Sequence, residues 1–180
     1  MTTLWQSCIH YLGQARELAE RIPSEQLSAP HAHCFGGTIG RHLRHCLEHF
    51  ERARIGIEAG LIDYDARARG TVEETDSAAA VRRLDELIDW FEANAGRFED
   101  ATPVRVKVDC GLEEPLPGAR PEGEGSTIGR ELQFLVSHTV HHFAIIAIMC
   151  EAQGIPLAPG FGVAPSTLRY EASISAAGDC

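Results

Sequence analysis

Residues 126–150 read STIGRELQFLVSHTVHHFAIIAIMC, and this stretch decides the fold. Behind two polar residues it carries Ile128, Leu132, Leu135, Val136, Val140, Phe143, Ile145 and Ile148, so a helix built from it is apolar on nearly every side. Such a helix belongs in the middle of a bundle. Ser126 or Thr127 can cap its start, and Gly154 followed by Pro156 ends it. Its first half is too polar for a membrane span. His138 and His142 stand four apart, one turn from each other on one face, with His141 beside them. Three histidines in five residues fit a polar seam satisfied by its neighbours. The i, i+4 pair also fits half of a metal site, whose third ligand must then come from elsewhere.

The second helix is the place to look. Thr38 is a good N-cap for IGRHLRHCLEHFERARIGIEAG, in which Ile39, Leu43, Cys46, Leu47, Phe50, Ala53 and Ile57 form an amphipathic stripe. Beside the stripe run His42, His45 and His49, spaced three and four. Three histidines on one flank are more than surface composition supplies, and they offer the last helix its third ligand.

Two further helices complete the set. Residues 2–22 place Leu4, Trp5, Cys8, Ile9, Leu12, Ala15, Leu18, Ala19 and Ile22 at helical spacing before Pro23 stops them. Ser77 is expected to cap another helix running to about Phe98, with Val81, Leu84, Leu87, Ile88, Phe91, Ala95 and Phe98 inward. It has no histidine or cysteine and is assigned to packing. Between the helices lie long connectors. Residues 24–37 hold His31, His33 and Cys34, a weaker metal candidate without fixed geometry. Residues 61–76 are polar and mixed in charge. Residues 101–125 break helical periodicity; Val104, Val106 and Val108 alternate with Arg105 and Lys107 as in a short strand or extended arm, and the turn-rich run after it fits a lid or binding loop. Four helices joined this way predict an all-α four-helix bundle with long crossovers and one extended arm, in a single domain over 1–170. Phe161, Val163, Leu168 and Tyr170 should bring the tail back onto the bundle, and residues 171–180 should be disordered.

Composition narrows the partners. The 180 residues carry a net charge of −10 and one Lys among 16 basic residues, with no basic stripe, which argues against nucleic acid. No membrane span and no signal peptide are expected, so the reading is cytoplasmic. The six cysteines follow no framework or CxxC spacing and read as free thiols. A homodimer is compatible with all of this.

The pattern resembles the DinB-like family, which includes bacillithiol and mycothiol S-transferases and the thiol-binding domains of ergothioneine synthases. Thr38-Ile39-Gly40 followed by His45 is similar to the start of that family's second helix. His42-Leu43-Arg44-His45 with Phe50-Glu51 resembles a helix of the ergothioneine synthases, and His138-x-x-x-His142 is similar to the family's second metal motif. The resemblance covers roughly residues 2–155. It implies an up-down-down-up four-helix bundle in which three histidines hold one divalent metal, here His45, His138 and His142. An idealised wheel ranks the second helix differently: His45 lies roughly 130° from the centre of the apolar stripe, His49 about 90° and His42 about 70°. His45 is kept on the motif match, with His49 as runner-up.

Three neutral imidazoles with an open fourth position make a catalytic kind of site, suited to zinc, nickel or iron(II). Such an ion lowers the pKa of a small thiol and readies it for an electrophile. That predicts a metal-dependent thiol S-transferase; a stress-related metal-binding protein and a hydrolase that activates water are the alternatives. His141, His49 and Glu131 are candidates to orient ligands or relay protons, although a surface position suits Glu131 as well. Arg169 and Tyr170 would touch a carboxylate of the substrate if the tail covers the mouth.

Overall fold

The computed structural model describes residues 3–108 and 123–178. Four long helices follow the apolar periodicity: α1 (Leu4–Arg21), α3 (Ile39–Ala59), α4 (Ser77–Asn94) and α5 (Ile128–Ala152). Short α2 (Ser24–Ser28) and the outer α6 (Pro165–Gly178) complete the helices. Threonine capping sets three of the long starts. Thr3 forms a capping box with Gln6, Thr38 accepts from Arg41 N at 3.0 Å, and Thr127 accepts from Arg130 N at 3.2 Å. The fourth cap is Asp76, which accepts from Ala79 N, rather than Ser77. The Ser77 hydroxyl instead donates to the carbonyl of Ile22, tying α4 to the end of α1. Helix α4 also stops at Asn94, short of Phe98, though Phe98 still stacks on Trp5 at 6.3 Å.

Around the core α1 packs on α4 and α5, and α3 packs on α5 and α4, so α1 lies diagonally across from α3 and α4 from α5. Trp5, Phe50, Phe91 and Phe143 fill the middle, with Phe50 meeting Phe91 edge-on at 5.5 Å. An 18-residue window of α5 reaches a mean hydropathy of 1.4, so the helix is long and apolar enough to cross a membrane by length and composition. This corrects the expectation that none would be. Here Ile128, Leu132, Leu135, Phe143, Ile146 and Met149 are buried in the core of the bundle.

The connectors hold more structure than their sequence suggested. β1 (Leu61–Asp63), β2 (Pro103–Lys107) and β3 (Glu124–Thr127) form a sheet in that order, β1 parallel to β2 and β2 antiparallel to β3. β2 is the expected extended arm. β1 and β3 were not foreseen, because three residues are too few for an alternating pattern and Glu-Gly-Ser-Thr has no apolar face. The sheet fixes the site from one side: β3 runs directly into α5, while β1 leaves the end of α3 and delivers Tyr64. It also requires closeness. A Cβ on Gly56 would sit 2.4 Å from Ile62 Cα, and one on Gly40 would sit 2.0 Å from the carbonyl oxygen of Glu74. Only glycine lets β1 and the turn at Val72–Glu74 lie on α3 in this way.

Beyond α5, Phe161 stacks on Phe143 at 4.5 Å, so the tail returns to the bundle there as expected, whereas Leu168 and Tyr170, expected to pack with it, are exposed on α6. Residues 171–178, expected to be disordered, instead continue α6. Their neighbours at 166–174 are exposed, so local helix propensity rather than burial accounts for this helix. The lid or binding loop expected after β2 lies largely outside the described residues.

Replacing Gly56 by Ala should cost about 1–3 kcal/mol of stability through overpacking against β1. Denaturant unfolding checks this; an unchanged midpoint would show that β1 is not seated on α3 as described.

Candidate metal centre

Packing of α3 on α5 brings the two histidine sets face to face. One ring nitrogen from each of His45, His138 and His142 lies within 4.8 Å of the other two. Ring centroids are 4.9 Å apart for His45–His138, 4.6 Å for His45–His142 and 4.5 Å for His138–His142. Around a tetrahedral ion the nitrogens would stand about 3.4 Å apart, since metal–nitrogen bonds are about 2.1 Å long. Small side-chain rotations close that difference.

The remaining histidines surround this trio. His42 Nδ1 is 2.9 Å from His142 Nδ1, so one of the two rings donates to the other. His49 is buried, donates from Nδ1 to the carbonyl of His45 at 2.8 Å, and places its ring 4.2 Å from that of His138. All three histidines of α3 therefore reach the cluster, because its flank, and not the centre of its apolar stripe, faces α5. His141 is exposed at the rim, 5.4 Å from the ring of His142. The loop with His31 and Cys34 runs alongside: a Cβ on Gly37 would lie 3.4 Å from His42 Nε2. His31 and Cys34 do not join the trio, and the His33 side chain lies outside the described residues.

Glu131 is buried rather than solvated. Its carboxylate accepts from the Tyr64 hydroxyl at 3.0 Å and from the Ser126 hydroxyl at 2.6 Å. It touches the cluster only at one remove, through Tyr64, whose ring stacks on His49 at 5.3 Å. Arg169 and Tyr170 are exposed on α6, and among the described residues neither contacts the histidines. A residue without any sequence signal does: Arg67, one of two arginines in a polar connector, donates from its guanidinium to His45 Nδ1 at 3.0 Å.

Electrostatics keep the cluster neutral. Burial, with the charges of neighbouring histidines and of Arg67 added, holds His45 down to about 2. Burial and the neighbouring histidines hold His142 to about 3 and, with Arg67, His138 to about 4. His49 falls to about 4, mainly through burial. A metal needs neutral imidazoles, and these stay neutral. His138 Nε2 is buried without a hydrogen-bond partner, which is costly for a ring nitrogen unless something coordinates there. The residues fit one divalent ion. If His142 held it through Nε2, Nδ1 would carry hydrogen and donate to His42 Nδ1, fixing the ring. Three buried cysteines take no part: burial pushes Cys8 and Cys46 up to about 12 and Cys150 up to about 11, so they are poor thiolates.

Fold and site together define a helical-bundle protein whose facing helices present a three-histidine centre. The family model described as DinB superfamily matches residues 12–146. The chain belongs to that superfamily. It is also similar to FK506-binding protein 5 of Rhizopus delemar, 30% identical over 110 residues, which are 61% of this chain and 27% of that protein. The chain thus aligns with about a quarter of that curated relative's length. No solved structure matches it.

The depressed histidines predict a pH dependence for the metal-free protein. Their folded values lie below the ordinary 6.5, so the unfolded chain takes up protons first as pH falls. Stability should be full above about pH 6.5 and decline from there towards the folded values of about 2 to 4. Urea midpoints of chelator-dialysed protein between about pH 7.5 and 5.5 check this, above the range in which most carboxylates titrate. The slope should be shallower in His45→Gln. A flat profile would mean that the imidazoles are not buried neutral.

Proposed function

We propose that this protein is a metal-dependent transferase that activates a low-molecular-weight thiol, on an up-down-down-up bundle, with His45, His138 and His142 as metal ligands. The observation that carries the reading is the all-imidazole donor set: three neutral rings, one with an orphaned buried nitrogen, and no carboxylate among them. When bound there, zinc, nickel or iron would supply a strongly electrophilic centre that lowers the pKa of a thiol. The chain's own part is binding and orientation. His42 orients His142 through the Nδ1 contact, and the carbonyl of His45 fixes the ring of His49. Tyr64 and Phe134 pack against one side of the cluster, their rings 5.2 Å apart and each in contact with His49. They exclude water from one side of the cluster. The sulfur comes from the substrate in this reading, since Cys8, Cys46 and Cys150 are held as thiols.

Family membership supports this reading, since the family that the sequence resembles includes thiol S-transferases. A small thiol and an organic electrophile are then the partners, with the cytoplasm as the compartment that supplies them.

Cobalt-substituted protein should develop sulfur-to-metal charge-transfer absorption when titrated with glutathione, mycothiol or bacillithiol. At least one of these thiols should support conjugation of a model electrophile such as 1-chloro-2,4-dinitrobenzene. If no thiol perturbs the spectrum and none is conjugated, the transferase reading fails.

A further inference from the structure

Arg67 is the one feature of the cluster that a metal site does not explain. Its neighbours are exposed, yet its own side chain is half-buried and directed onto His45. The connector that carries it is fastened on both sides. Asp63 Oδ1 accepts from Asp65 N and Ala66 N, Arg44 donates to the carbonyl of Ala68 at 3.3 Å, and Gly70 N donates to Glu74. Four other part-buried arginines answer a carboxylate: Arg44 meets Glu48 and Glu74, Arg54 and Arg83 meet Glu51, Arg16 meets Asp85. Among the described residues Arg67 forms no salt bridge. A guanidinium removed from water without an anion is costly, and here it is spent on a neutral imidazole.

That contact also conflicts with metal binding. A guanidinium only donates, so His45 Nδ1 must accept from it. If His45 held an ion through Nδ1, that lone pair would be taken. If it held the ion through Nε2, Nδ1 would carry hydrogen and face a second donor. Either way the guanidinium has to leave the ring, while its anchored backbone keeps it at the rim of the centre. There it is an unpaired, forked cation beside the imidazole cluster, the arrangement that recognises a carboxylate.

We infer that Arg67 is the specificity-determining residue of this centre: it guards His45 in the metal-free protein and, once displaced, binds the carboxylate of a thiol whose sulfur faces the metal. The substrate class is therefore a carboxylate-bearing small thiol. This rests on the thiol reading above, and the test separates the two.

The probes are thioglycolate and its methyl ester, which share a sulfur and differ in the carboxylate, each titrated into the cobalt-loaded protein. The natural chain should favour thioglycolate, and Arg67→Ala should reduce the ratio of the two affinities about tenfold or more, with Arg67→Lys in between. Zinc affinity of the metal-free protein, measured by chelator competition, should rise several-fold in Arg67→Ala because the competing donor is gone. Binding of neither probe to the natural chain would sink the thiol reading itself. Binding of both with a ratio that Arg67→Ala leaves unchanged would overturn the role of Arg67 alone, as would a zinc affinity that falls in that variant.

Discussion

Everything at the centre depends on desolvation of imidazoles. The α3–α5 contact removes His45, His49, His138 and His142 from enough water that none holds a proton at neutral pH. Uncharged rings can crowd within 4 to 5 Å of one another, as these do, where imidazolium ions would repel. Crowding then leaves lone pairs facing a common point. The same burial that makes the cluster costly for the free protein makes it a ready receptor for a cation, which would repay the cost by coordination.

The rest of the fold serves that contact. α1 and α4 bury the other sides of α3 and α5 and contribute no histidine to the centre. The sheet holds the start of α5 in line with the end of α3 and brings Tyr64 against His49 and Glu131. Glycines at positions 40 and 56 let the connector lie flat on α3, so that Arg67 reaches His45. A change of one methyl group on that surface would be felt at the metal centre some distance away.

Much of this was legible in the sequence. Apolar spacing gave the four helices and the central place of α5, because period and capping act over a few residues. The spacing of His138 and His142 marked the site for the same reason. Which histidine of α3 would join them was not a local question. The wheel measured His42, His45 and His49 against the apolar stripe, whereas the neighbour that matters, α5, lies off that stripe; the motif similarity pointed to His45, and the structure brings all three to the cluster. β1 and β3 were invisible because they are short and paired across long sequence separations. Glu131 looked like a surface acid since nothing nearby in sequence reveals the hydroxyls of Tyr64 and Ser126. Arg67 had no signal at all, being one of several charges in a connector whose anchoring depends on Asp63, Arg44 and Glu74.

The central claim is that these imidazoles form one metal centre. It is tested most directly by metal content per chain after zinc loading and gel filtration, in the natural protein and in His138→Ala, His45→Ala and His49→Ala. The account predicts one ion per chain in the natural protein, loss of it in His138→Ala and His45→Ala, and substantial retention in His49→Ala. Stoichiometric metal in His138→Ala, or none in the natural protein, would contradict it.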